Sequence, residues 1–168
     1  MMFWNKEDNM IERAQKLAYK VHAGQYRWGG ETFVVHPKGV VEKLRDMTIF
    51  GAWLNEIAVP SNYVPVPLNE NEKQNYYIVG WLHDVVEDTA TTLGNLLDMG
   101  FDYQVVEAVD AITCRDDEDY REYILRVKKN AIARQVKIAD IEHNLESFDH
   151  KKNKSRADKY KLALEVLK

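Results

Sequence analysis

The chain has 168 residues and a formal net charge of −4, from 23 Lys and Arg against 27 Asp and Glu. With 45% hydrophobic and 30% charged residues it has the composition of one globular domain with a proper core, not of a disordered segment. The acidic balance argues against general nucleic-acid binding, the single cysteine, Cys114, against a disulfide framework, and the lack of a long apolar run against a membrane span.

Met1 to Asp8 lacks the basic start and apolar core of a secretory leader, so a reducing, cytoplasmic setting is expected. Apolar spacing then predicts an amphipathic helix over 5–22, with Ile11, Ala14, Leu17, Ala18 and Val21 on one face and Gly24 as its stop. A loop follows over 23–35, with Gly29-Gly30 as a turn signal. Pro37 fits the first position of a new helix, which would leave His36 just before it on a restricted backbone; Val40, Val41 and Leu44 mark that helix's inner face, to about Met47. The stretch 50–74 reads as an irregular insertion: a short helix around Trp53, Leu54, Ile57 and Ala58, then a Pro- and Asn-rich loop over 59–72.

A central apolar helix is predicted over 73–87, with Tyr76, Tyr77 and Trp81 as core residues. Thr91 or Thr92 caps a short helix that Gly100 stops, and Asp102 caps another whose stripe is Val105, Val106, Val109 and Ile112. Helices over 117–129 (Tyr120, Tyr123, Ile124, Val127) and 131–146 (Ile132, Val136, Ile138, Ala139, Leu145) follow. The last begins at a capping-like Ser155-Arg-Ala-Asp158 and carries Tyr160, Leu162, Ala163, Val166 and Leu167. No strand pair or internal repeat emerges. The expectation is a single all-α domain over 1–168.

Chemistry concentrates in His83-Asp84-Val85-Val86-Glu87-Asp88-Thr89, one imidazole and three carboxylates at the end of an apolar run. Buried and unpaired, such groups are costly, and a divalent cation satisfies them together. His83 and Asp84 are two ligands; His36, held by Pro37, and Asp140, beside an apolar stripe, are the candidates to complete the set. Two nitrogens and two oxygens suit Mn²⁺, Fe²⁺, Ni²⁺ or Zn²⁺ better than Ca²⁺. Such an ion lowers the pKa of water from about 15.7 to about 7. If the helix continues, Glu87 stacks over His83 and Asp88 over Asp84, as groups that orient that water or move its proton.

Four blocks, in order, resemble the HD superfamily of metal-dependent phosphohydrolases, and within it the hydrolase domain of RelA/SpoT proteins and the small alarmone hydrolases. They are Gly24-Gln25-x-Arg27-x-x-Gly30-Glu31 leading to His36-Pro37; His83-Asp84-x-x-Glu87-Asp88-Thr89; Thr113-x-Arg115; and Val136-Lys137-x-Ala139-Asp140-x-x-x-Asn144. The resemblance implies metal ligation by His36, His83, Asp84 and Asp140, acid/base roles for Glu87 and Asp88, a place for Arg27 against the nucleotide base and for Asn144 near the sugar. It also implies removal of the 3′-pyrophosphate from guanosine 3′,5′-bis-pyrophosphate, usually with one Mn²⁺. Lys137 and Arg115, beside matched positions, are the candidates for phosphate contact.

Two departures are plain. Trp28 stands where alarmone hydrolases usually carry a basic residue; it can stack on a base but cannot pair with phosphate. The segment between His36 and His83 is longer than usual, the excess falling in 50–74. The partner expected is a small nucleotide, with neither nucleic acid nor membrane. Two other readings stand beside alarmone hydrolysis: an HD nucleotidase or phosphohydrolase acting on another nucleotide, and a nucleotide-sensing module without turnover. Of the remaining candidates, His22 is expected to cap or pack, His143 is no ligand position in the family, His150 is solvated, Cys114 is a buried structural thiol, and the basic run 151–156 is a solvated face.

Overall fold

The computed structural model describes Asn5 and residues 7–50, 69–147 and 154–168. The helices are α1 (Met10–Val21), α2 (Val35–Phe50), α3 (Glu70–Leu82), α4 (Val85–Asp88), α5 (Leu93–Asp98), α6 (Tyr103–Ile112), α7 (Tyr120–Lys129), α8 (Ala131–Ser147) and α9 (Lys154–Leu167). Among the described residues the β-structure is one isolated bridge, Tyr26 to Thr32. The architecture is all-α.

Helix α1 starts where Asn9 and Glu12 form a reciprocal capping box, each side chain taking the other's backbone N–H at 3.0 Å. It buries Ala14, Leu17 and Ala18. The chain leaves through Gly24 at φ +81 and Gly30 at φ +84, backbone that favours glycine. Between them the segment closes on itself, Arg27 N–H donating to the Glu31 carbonyl at 2.8 Å.

His36 is not ahead of the second helix but in its first turn, since α2 begins at Val35. Pro37 is tolerated there because a first-turn N–H has no helical partner to lose. Val40, Val41 and Leu44 are buried as their spacing predicts.

Helix α3 is the hub, packing against α1, α2, α6 and α8. It starts earlier than its apolar pattern: Asn69 and Glu72 build a second capping box, so 69–72 form a cap and first turn and not the end of a loop. The rest of that expected loop and the short helix before it lie outside the described residues. Gly80 lets α2 approach closely; a Cβ there would stand 2.9 Å from both Leu44 Cδ1 and Val41 Cγ2.

Helix α8 is the second buried rod, in contact with α2, α3, α6, α7 and α9. Val136, Ile138, Ala139 and Ile141 pack inward. Lys137, Asp140 and Asn144 follow one another at three and four residues, hence on one face. Helix α9 already contains Ser155 in its first turn, so that serine is no cap, and Leu162 is 62% exposed where the apolar stripe places it inside.

Candidate metal centre

The predicted 73–87 helix does not run through. Helix α3 ends at Leu82, and α4 starts afresh at Val85. The Gly80 carbonyl, which a continuing helix would offer to the Asp84 N–H, accepts from His83 Nδ1 at 2.8 Å. Asp84 takes φ −100, ψ −6, and its carbonyl opens the next turn by accepting from Asp88 N–H at 2.9 Å. The break matters twice. It fixes a proton of His83 on Nδ1 and leaves Nε2 as the atom that faces the cluster. It also turns the carboxylate of Asp84 back toward its neighbour, Oδ2 standing 3.1 Å from His83 Nε2.

Helices α2 and α8 bring two more groups to this point. His36 Nε2 lies 3.3 Å from His83 Nε2, 2.9 Å from Asp140 Oδ1 and 3.7 Å from Asp84 Oδ2. His36, His83 and Asp140, all buried, offer donor atoms within 4.8 Å of one another, a group that could hold a metal ion. Asp84 forms the open rim, its side chain 22% exposed against 6% for Asp140 and 1% for His83. The donor set fits a divalent cation on one observation above all. Two imidazole nitrogens face each other at hydrogen-bond distance, and only a proton or a cation between them relieves the contact.

The charges answer one another. Burial disfavours the His83 cation, but Asp84 and Asp140 outweigh it and hold its pKa at about 9. Burial also opposes ionisation of Asp140; Lys137, His36 and His83 overcome it and hold the carboxyl well below its ordinary range. Asp84 is lowered against burial in the same way, chiefly by His83.

Around the cluster, Asp140 is fully engaged: Oδ2 accepts from Lys137 Nζ at 2.8 Å and Oδ1 from Asn144 Nδ2 at 2.6 Å. Asn144 Oδ1 in turn accepts from Arg27 Nη2 at 2.9 Å. Arg27 thus reaches the cluster through one intermediary, and its Nη1 is buried with no hydrogen-bond partner among the described residues.

Asp88 keeps its place one turn beyond Asp84, its N–H donating to the Asp84 carbonyl at 2.9 Å. Glu87 Oε2 accepts the Cys114 N–H at 2.9 Å. Burial raises Glu87, and burial with the charge of Asp84 raises Asp88. Cys114 is only partly buried, and the contact that matters is made by its backbone.

Lys137, expected at phosphate, spends its amine on Asp140 and lies 5.3 Å from the centre of the Tyr123 ring. Arg115 is exposed and faces Asp110 at 3.7 Å. Trp28 is 95% exposed, with the Arg156 guanidinium 5.4 Å from its ring centre. His22 caps α1, is buried, and meets Gln25 Oε1 through Nδ1 at 2.8 Å, while Gln25 Nε2 donates to the Asp88 carbonyl. His143, no ligand position by the resemblance, lies outside the ligand group but against it, its Nδ1 2.9 Å from Nδ1 of His36. Its place three residues after Asp140 on a helix was the available signal. His150 and residues 151–153 lie outside the described residues.

Comparisons with known proteins point the same way. No protein-family model matches the chain. It is 27% identical over 163 residues to a GTP pyrophosphokinase of Myxococcus xanthus, covering 89% of this chain and 18% of that protein. A probable guanosine-3′,5′-bis(diphosphate) 3′-pyrophosphohydrolase of Synechocystis is 26% identical over 151 residues, 83% of this chain and 17% of the relative. The chain therefore spans less than a fifth of the length of these curated relatives. A solved structure of a metazoan orthologue of SpoT, described as hydrolysing ppGpp and acting in starvation responses, superposes with a TM-score of 0.67 at 17% identity over 98% of this chain and 89% of that one. The chain resembles RelA/SpoT-type proteins and shares the all-α fold of the SpoT orthologue.

Proposed function

We propose that the chain is a metal-dependent hydrolase of a nucleotide, removing the 3′-pyrophosphate of guanosine 3′,5′-bis-pyrophosphate. The observation that carries this is the convergence of His36, His83 and Asp140 donor atoms within 4.8 Å in the core, with Asp84 at the open rim. In this reading His36, His83, Asp84 and Asp140 hold one divalent ion, Mn²⁺ being the natural first choice for two imidazoles and two carboxylates. Such an ion, when bound, supplies Lewis acidity and ionises water at neutral pH.

The chain's own residues do the rest. Asp140 is held as a carboxylate by Lys137, and Asn144 steadies the same group from the other side. Glu87, anchored by the Cys114 N–H, and Asp88 have raised pKa values, which suits them to take the proton of water and return one to the departing ribose 3′ oxygen. One bond forms between the water oxygen and phosphorus, and the bond from phosphorus to the 3′ oxygen breaks. Arg27, half-buried, offers the base side of the substrate a guanidinium whose Nη1 has no hydrogen-bond partner among the described residues. Arg115 and Lys137 are positioned to answer phosphate charge only if substrate draws them from Asp110 and Asp140.

A second reading, an HD phosphohydrolase for another nucleotide, draws on Trp28: an exposed indole in a basic residue's place favours base stacking over phosphate pairing. One assay separates the readings. Mn²⁺-dependent turnover is measured on guanosine bis-pyrophosphate, nucleoside monophosphates and nucleoside triphosphates, with Asp84→Ala as control. Pyrophosphate released from the first supports alarmone hydrolysis, orthophosphate from monophosphates supports the second reading, and tight binding without turnover supports a sensing module.

A further inference from the structure

The residue His143 has no part in the site as proposed, and its packing is unusual. Its Nδ1 lies 2.9 Å from Nδ1 of His36, with the ring centres 5.0 Å apart and the planes tilted by 44°. We infer that His143 is a positioning residue: it accepts a hydrogen bond from His36 Nδ1 and so holds His36 in the tautomer whose Nε2 lone pair faces the cluster. The inference rests on the metal-centre reading.

Hydrogen-bond direction carries the argument. A bond between two ring nitrogens has one donor and one acceptor. His36 Nε2 is the atom aimed at the cluster, 2.9 Å from Asp140 Oδ1 and 3.3 Å from His83 Nε2. To ligate through Nε2, His36 must carry its proton on Nδ1, and Nδ1 points at His143. His143 Nδ1 must then be bare, with the proton of that ring on Nε2. The arrangement matches what Gly80 does for His83, where a backbone carbonyl accepts from Nδ1 at 2.8 Å. Each imidazole of the cluster therefore has its own acceptor behind it, a carbonyl for one and a side chain for the other.

A second observation comes from α2. Gly39 sits in the helix interior, where Gly costs about 1 kcal/mol relative to Ala, and its φ lies outside the left-handed region. Its absent side chain is explained by His143: a Cβ at position 39 would stand 2.1 Å from His143 Nε2 and 2.4 Å from Cδ2. The ring reaches His36 only across a glycine. One helix, α8, thus supplies both a candidate ligand, Asp140, and the support for a ligand on another helix.

The test is Mn²⁺ affinity of the full chain by calorimetry for wild type, His143→Leu, His143→Gln and Gly39→Ala, with thermal unfolding of the metal-free proteins alongside. His143→Leu removes the acceptor and should weaken binding by roughly 10–100-fold. His143→Gln, whose amide oxygen accepts, should recover most of it. Gly39→Ala, which displaces the ring without altering either imidazole, should behave like His143→Leu. In the Zn²⁺-loaded protein, ¹⁵N spectra should show His36 protonated at Nδ1 and His143 bare at Nδ1. The inference is overturned if His143→Leu binds as wild type does, if His143→Gln is as weak as His143→Leu, or if His143 Nδ1 carries the proton in the loaded protein. Wild type that binds no divalent ion defeats the metal-centre reading and this inference with it; wild type that binds beside an unaffected His143→Leu defeats this inference alone.

Discussion

His36 and His83 face each other through Nε2 at 3.3 Å in the core of the helical bundle. In the metal-free protein burial works against the His83 cation, and the neighbouring carboxylates keep it protonated. Asp84 and Asp140 raise its pKa to about 9. Because that value lies above the ordinary 6.5, folding takes up a proton: the stabilisation is complete below about pH 6.5 and is lost as pH rises through about 9. A metal ion must displace that proton. Calorimetry in buffers of different ionisation enthalpy should show about one proton released per Mn²⁺ bound at neutral pH, with affinity rising about tenfold per pH unit below 9. Binding without proton release would contradict a protonated His83 in the metal-free protein.

Lys137 and Asp140 form a buried ion pair at 2.8 Å, behind the atom that faces the cluster. Breaking such a pair by removing one partner leaves an uncompensated charge and costs about 3–5 kcal/mol. Lys137→Met should therefore lower the melting temperature of the metal-free protein by roughly 2–4 °C for each kcal/mol. Saturating Mn²⁺ should narrow the gap, because the cation answers the charge of Asp140. Equal losses with and without metal would mean that the amine serves packing alone.

Glu87 and Asp88 should separate binding from turnover. Glu87→Gln and Asp88→Asn retain shape and remove the proton-carrying group, so Mn²⁺ affinity should stay within a few-fold while kcat falls by roughly 10²–10⁴. Both carboxyls are raised by burial, so at least one limb of the wild-type pH–rate profile should lie above the ordinary carboxylate range and vanish in one variant. Full activity in both variants would remove them from the chemistry.

Arg126 acts at a distance. Its guanidinium pairs with both oxygens of Glu118 and donates to the carbonyls of Asp110, Ala111 and Thr113 at 2.9–3.0 Å, stapling the turn after α6. The next residue, Cys114, gives the N–H that holds Glu87. Arg126→Ala should cost roughly 3 kcal/mol and lower kcat while leaving Mn²⁺ affinity intact. Arg126→Lys should not restore it, since one ammonium cannot replace a planar fork of five donors. An Arg126→Ala enzyme with normal kcat would show that the turn keeps its shape unaided.

Most helices were legible because their apolar stripes and caps are local. Val105, Val106, Val109 and Ile112 repeat at helical spacing and all are buried; Thr92 and Asn95 cap α5 as their types allow. What escaped was set by contacts far apart in sequence or by polar groups acting against the helical pattern. The apolar run into His83 gave no hint that its own ring would take the Gly80 carbonyl and stop the helix. Asn69 lay in a Pro- and Asn-rich stretch, where its capping role was hidden. Gly39 looked unremarkable until α8 set an imidazole against it. Lys137, a candidate for phosphate contact because it stands beside a matched motif position, pairs with Asp140, and its position three residues before Asp140 on the same helix already offered that partner.

In the proposed function this cluster is a hydrolytic metal centre for a guanosine bis-pyrophosphate. The most direct measurement is product identification after incubating the Mn²⁺-loaded full chain with guanosine 3′,5′-bis-pyrophosphate, beside His83→Ala and a chelated sample. Wild type should give guanosine 5′-diphosphate and pyrophosphate in equal amounts, with neither from the variant nor after chelation. Unchanged substrate with loaded wild type, or equal product from all three samples, would contradict it.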